Sequence, residues 1–181
     1  MLAAQIKEVT KNAHQQVEKK VVLRIKSIKS EDDYANLLKH FYAYFSKVEA
    51  AVQPYISPQL LPDLASRRNA SYIKADIEEL GGSLNELPAA TIPEITNSSQ
   101  AMGALYVLEG SIMGGPYIIQ MLKKLGINKG FSFFSGYGDE TPQKWQSFIS
   151  ALNSVAKNEK DGLQAINSAK ETFLHFGEVF S

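Results

Sequence analysis

Lys7, Lys11, His14 and Glu18 recur at intervals of four, three and four, which places all four on one face of a 3.6-residue helix. A neutral imidazole is a good iron ligand, normally oriented by a hydrogen bond from its second ring nitrogen. Glu18, one turn after His14, is the natural acceptor for that bond. Lys7 and Lys11 can pair with carboxylates at the edge of an anionic ligand. The same spacing also describes the solvated face of an ordinary amphipathic helix, and spacing alone does not separate the two readings.

A second segment, Tyr106-Val-Leu-Glu-Gly-Ser-Ile-Met-Gly-Gly-Pro-Tyr117, resists an ordinary core reading. Each helical glycine forgoes about 1 kcal/mol relative to alanine and proline about 3 kcal/mol, so Gly110, Gly114, Gly115 and Pro116 together forgo roughly 6 kcal/mol. Gly110 and Gly114 are four apart and leave a bare strip of backbone that a flat ligand can approach closely. Two plainer readings compete: Gly-Gly-Pro joins two helices, or the strip packs another helix.

These segments sit in a helical chain. Leu2, Ile6, Val9, Ala13 and Val17 give the opening helix an apolar stripe that runs to about Val22. Ser30 is an N-cap with Asp33 at the capping-box position, and its helix runs to about Gln53, before Pro54. Ser57-Pro58 predicts a further helix start. Another helix runs from about Arg67 to Gly81-Gly82, and residues 83–95 form a loop. Thr96 to Ser99 cap a long apolar helix reaching about Leu125. Gly130 to Gly138 is a packed aromatic loop, Thr141-Pro142 restarts a helix, and the last one runs from about Glu159 to Phe180. The expectation is an all-α, single compact multi-helix domain over residues 1–181, with six to eight helices.

Composition narrows the chemistry. Lys and Arg number 19, as do Asp and Glu, so no net charge points to a polyanion and no nucleic-acid partner is expected. Cysteine is absent, which removes disulfides, thiolate catalysis and thiolate-ligated metals. Ala101 to Leu122 has the length of a membrane span, but Glu109 near its centre would cost ~3 kcal/mol there and Pro116 would break it. The N-terminus lacks the layout of a secretory signal. A cytoplasmic protein without a membrane partner, monomeric by default, is expected. His40 lies among Leu37, Leu38, Phe41 and Tyr44 and reads as a satisfied helix histidine; His175 lies beside Phe173 and Phe176. Tyr42, Tyr44, Phe173 and Phe180 are candidate pocket lining, although such residues are more often core.

Residues 6–18, including the His-x-x-x-Glu spacing, are similar to the proximal helix of the haem oxygenases, and Ala104 to Gly115, with its Leu-Glu-Gly-Ser core, resembles their distal helix. Arg67-Arg68, Asp76 and Leu80-Gly81 fit the family's middle helices, and the last helix resembles its closing helix. The resemblance implies that His14 is the axial ligand of haem iron, with Glu18 its neighbour, and that Lys7, and more weakly Lys11, stands near the propionates. It implies that Gly110 and Gly114 let O₂ lie against the backbone, and that Phe173 lines the pocket. Ser111 occupies the place where animal members carry an aspartate that organises distal waters. Haem would be both cofactor and substrate, opened with O₂ and electrons from an external reductase or ferredoxin to biliverdin, CO and ferrous iron. The rival is a haem-binding or haem-carrying protein with the same fold and no catalysis. Thiaminase-like proteins share the architecture but usually rely on a cysteine. A di-iron bundle needs Glu-x-x-His pairs, which none of the three histidines has.

Overall fold

The computed structural model describes residues 1–181 as seven α-helices and three short 3₁₀ turns, with no strand. Helix α1 spans Leu2–Lys26 and α2 spans Glu31–Val52. They are followed by α3 (Ala70–Glu79), α4 (Ser98–Met113), α5 (Gly115–Lys124), α6 (Thr141–Val155) and α7 (Glu159–Glu178).

The apolar stripe of α1 continues past the expected end at Val22 because Ile25 still reaches the core. Ser30 caps α2 by accepting from the Asp33 amide, and the Asp33 carboxylate accepts in return from the Lys29 amide at 2.8 Å, one residue outside the usual capping-box partner. The helix expected at Ser57-Pro58 does not form. The Ser57 carbonyl closes a single turn with the amides of Leu60 and Leu61, and the chain then bends away. The third helix begins at Ala70 rather than Arg67, with Asn69 as its cap. Arg67 remains outside it because its guanidinium is drawn into a buried ion network. Gly81, at φ +80, ends α3 with Gly82 donating to Ile77, the pairing that a left-handed glycine permits.

The long apolar helix is two helices. It breaks at Gly114, and Pro116 falls in the first turn of α5, where a missing N–H costs nothing. Gly114 stays backbone-bonded on both sides of the junction, donating to Ser111 and accepting from Tyr117 and Ile118, so α5 leaves α4 at a bend rather than through a loop. No helix is long and apolar enough to cross a membrane.

One cluster of 42 buried residues forms the core. Its aromatic centre packs Phe41, Tyr44 and Phe45 of α2 against Phe176 and Phe180, with ring centroids 5.1–5.7 Å apart. The Tyr44 hydroxyl donates to the Thr172 carbonyl at 2.7 Å. Tyr44 and Phe180 are thereby committed to the core. Helices α6 and α7 each pack against both α1 and α4, whereas α1 and α4 hardly touch. The two helices that carry the chemistry are therefore held apart by shared neighbours.

Candidate functional site

On α1, Lys7, Lys11, His14 and Glu18 are all exposed, as their spacing predicts. His14 Nε2 lies 3.3 Å from Glu18 Oε1, and 54% of the His14 side chain is open to solvent. Its Nδ1 has no partner in the chain. The imidazole also stacks at a tilt against Phe173 of α7, with centroids 5.2 Å apart. Phe173 is buried, so a half-exposed imidazole stands on a fixed apolar floor, oriented by a carboxylate and with one nitrogen free. Lys7 and Lys11 pair with no carboxylate. No group of three His, Asp or Glu side chains converges on a common point, so His14 would act as a lone protein ligand.

The glycines of α4 and α5 divide into two kinds. A Cβ on Gly103 would strike the Ala165 carbonyl of α7, and one on Gly115 would strike the Phe134 carbonyl. Those two glycines are required by packing. A Cβ on Gly110 would meet nothing nearer than the Trp145 ring at 3.7 Å, and one on Gly114 nothing nearer than the Ser111 carbonyl at 3.6 Å. No protein atom explains why these two positions lack side chains. Gly103, Gly110 and Gly114 share one stripe of the helix, and α7 covers only the first. Apart from the Trp145 ring beside Gly110, the remainder is a cradle that side chains would fill.

Ser111 donates its hydroxyl proton to the Leu108 carbonyl at 2.6 Å. Its oxygen can still accept from a water, but the proton is engaged by its own helix. His40 holds the Asn36 carbonyl at 2.8 Å and stacks on Phe180, and burial pushes its pKa down. His175 pairs with Glu178 at 2.9 Å. Both are satisfied within their own helices.

The sequence reading missed a buried polar cluster behind the glycine strip. Arg67 donates to Glu109 Oε2 at 2.8 Å, to both oxygens of Asp63 and to the Lys144 carbonyl. Lys144 Nζ pairs with Asp63 at 3.0 Å, and the Tyr137 hydroxyl donates to Glu109 at 3.3 Å. Burial pushes the Glu109 carboxyl up, against the pull of the Arg67 guanidinium. Asp63 is held below the usual carboxylate range despite its partial burial, by hydrogen bonds from Lys144 and Arg67. A cavity of about 210 Å³ adjoins this cluster, lined among others by Glu49, Arg67, Leu105, Leu108 and Glu109. Burial raises Glu49 to about 7, the hydrogen bond from the Ala70 amide opposing it and the charge of Glu109 adding to it. The one available signal was Glu109 itself, a carboxylate in an apolar helix that needs a buried cation.

A family model described as heme oxygenase matches residues 1–181. Among curated proteins, the heme oxygenase PigA of Pseudomonas aeruginosa is 25% identical over 173 residues, 94% of this chain and 87% of that protein. A heme oxygenase of Xanthomonas campestris pv. campestris is 27% identical over 147 residues, 80% of this chain and 87% of that protein. Among solved structures, the NO- and CO-bound heme oxygenase of Neisseria meningitidis superposes with a TM-score of 0.85 at 21% identity, over 99% of this chain and 90% of that one. The heme oxygenase of Leptospira interrogans gives 0.78 at 19% identity, over 99% and 98% of the two chains. At these identities the superpositions speak for the fold.

Proposed function

The chain belongs to the haem oxygenase family, and from that premise we propose that it cleaves haem, with His14 as the axial ligand on one face and the Gly110–Gly114 strip against the other. Bound haem supplies both the iron and the ring that is opened, with O₂ and electrons from an external reductase or ferredoxin, to biliverdin, CO and ferrous iron. The observation that carries the reading is the strip: two glycines that the protein's own packing does not need, in the helix separated from His14 by shared neighbours.

The residues fit a flat, metal-bearing anionic ligand. His14 presents a free nitrogen, and Glu18 beside the other nitrogen orients the ring. Phe173 gives the imidazole and the ligand's edge an apolar floor. Lys7 and Lys11, free of internal partners, serve the carboxylates at the ligand's rim. Ser111 accepts from a water near the strip, while its own hydroxyl donates to the Leu108 carbonyl.

That last bond favours a second reading specifically, because a hydroxyl committed to its own helix is a poor proton relay: the chain would bind haem without opening it. Titration with haemin, then addition of reductant in air, separates the two. Cleavage predicts a saturable Soret band that decays as a red biliverdin band grows, and a persistent Soret complex would establish the binder instead. His14→Ala is expected to abolish the axial-ligand signature. An unchanged Soret spectrum in that variant would overturn the assignment of His14.

A further inference from the structure

The aromatic loop 130–138 touches the α4–α5 segment at three points that bracket the glycine strip. The Tyr137 hydroxyl donates to Glu109, immediately before Gly110. Gly136, at φ +55, lies so close to Ile112 that an added Cβ would stand 2.5 Å from Ile112 Cγ2. The Phe134 carbonyl abuts Gly115, immediately after Gly114, where no Cβ fits. Residues 109, 112 and 115 recur at intervals of three and lie behind the strip, on the side away from its bare face.

The far side of the loop is anchored as firmly. The Asp76 carboxylate of α3 accepts from the amides of Ser132 and Phe133 at 2.8 and 2.9 Å. Glu79 accepts from the Gly130 amide at 2.9 Å, and the buried Tyr34 hydroxyl of α2 donates to the Gly130 carbonyl at 2.6 Å. Arg68 donates through Nε to the Gly136 carbonyl at 2.7 Å and through its amide to the Tyr137 hydroxyl oxygen at 3.0 Å. Phe133 and Phe134 are fully inside the core. A nine-residue irregular segment with this many bonds does not behave as a surface loop.

We propose that the 130–138 loop is a strut that transmits the position of α3 to the back of α4 and so sets how closely the Gly110–Gly114 strip approaches its ligand, with Tyr137 and Gly136 as its positioning residues. The consequence for ligand placement rests on the haem reading; the mechanical link does not. Glu109 is where the strut meets the ion cluster. Its Oε2 takes both the Tyr137 proton and the Arg67 proton, so the strip's leading end is referenced to the loop and to α6 at once. Close packing makes such a support discrete rather than elastic, because a displaced loop leaves either an overlap at Ile112 or a Glu109 carboxylate and a Tyr137 hydroxyl parted from each other.

Hydrogen–deuterium exchange on the haem-free chain tests the link directly. Tyr137→Phe keeps the ring and removes two hydrogen bonds, the one to Glu109 and the one from the Arg68 amide, which should speed exchange of amides 109–115 about fivefold or more while α1 is unchanged. Gly136→Ala, which keeps Tyr137 and pushes on Ile112, should disturb the same amides. In the haemin complex both variants should shift the Soret band and change the ratio of biliverdin isomers without losing the His14 ligation signature. Exchange that stays at the wild-type rate over 109–115, or rises equally throughout the chain, overturns the strut. Local loosening with an unmoved Soret band and isomer ratio overturns its role in placing the ligand. A wild-type chain that takes up no haemin sinks the haem reading, and the exchange pattern still decides the strut.

Discussion

Arg67 and Glu109 meet at 2.8 Å with only 3% and 8% of their side chains exposed, and they join the loop before α3 to the C-terminal half of α4. Asp63 and Lys144 complete a set of two cations and two anions, so the cluster is neutral as a whole. Removing one member leaves an uncompensated charge away from water. Arg67→Ala is therefore expected to destabilise the chain by about 3–5 kcal/mol, read from urea denaturation. Glu109→Gln keeps the shape and should cost about 1–3 kcal/mol. Equal, small effects for the two variants would mean that water reaches the pair.

Glu49 stands apart from that neutral set and pairs with no cation, although Arg67 and Arg68 also line the cavity. With its carboxyl raised from an ordinary 4.5 to about 7, the folded chain keeps a proton that the unfolded chain releases. Stability from this group is fully present below pH 4.5 and is lost as pH rises through about 7. The span corresponds to roughly 3 kcal/mol at most, reduced by the partial exposure of the side chain. Glu49→Gln should remove the slope, leaving stability near wild type at pH 5 and raising it by about 2 kcal/mol at pH 8. A parallel pair of stability–pH curves would show that Glu49 is ionised throughout.

The helices with one-sided apolar patterns were legible because period and caps agree. Ser30, Asn97 within the expected Thr96–Ser99 cap, and Gly81 each act where the chain's spacing asks for a stop or start. The failures have local causes. Ser57-Pro58 carries the right two residues for a helix start and Leu61 is buried behind them, but Pro62 cannot supply the amide a second turn needs, and only one turn forms. The break at Gly114 was one of two readings of Gly-Gly-Pro, and composition does not say whether a bent helix or a straight one fits the neighbours. At the site, His14, Glu18 and the two glycines were visible as spacing. The Arg67 cluster was not, because its members lie 4 to 81 residues apart and only the fold brings them together.

Ser111 supplies a cleaner question than its sequence position suggested. Since its hydroxyl proton is donated to the Leu108 carbonyl in a hydrogen bond, Ser111→Ala deletes only an acceptor near the strip and a local bond inside α4. Alanine is the better helix former by about 0.5 kcal/mol, which offsets the lost bond, so thermal stability should stay within about 0.5 kcal/mol of wild type. Haemin affinity should hold while turnover under reductant and O₂ falls several-fold. Unchanged turnover would mean that Ser111 orders no water that matters to the reaction.

The glycine strip makes the sharpest separation between folding and function. Gly110→Ala adds a methyl that meets only the Trp145 ring at 3.7 Å, an ordinary contact, and it gains the helix propensity that glycine forgoes. The haem-free variant should be more stable than wild type by about 0.5–1 kcal/mol. Gly110→Leu and Gly114→Leu extend further into the open face and should still fold, yet lower haemin affinity by about tenfold or more, since each fills space a flat ligand would occupy. Gly103→Ala provides the contrast, because its methyl would collide with the Ala165 carbonyl and force α4 away from α7. That variant should lose stability before it loses affinity. Thermal melts of the four haem-free variants, set beside their haemin titrations, decide the matter: a destabilised Gly110→Ala with wild-type affinity would mean that the strip serves packing after all.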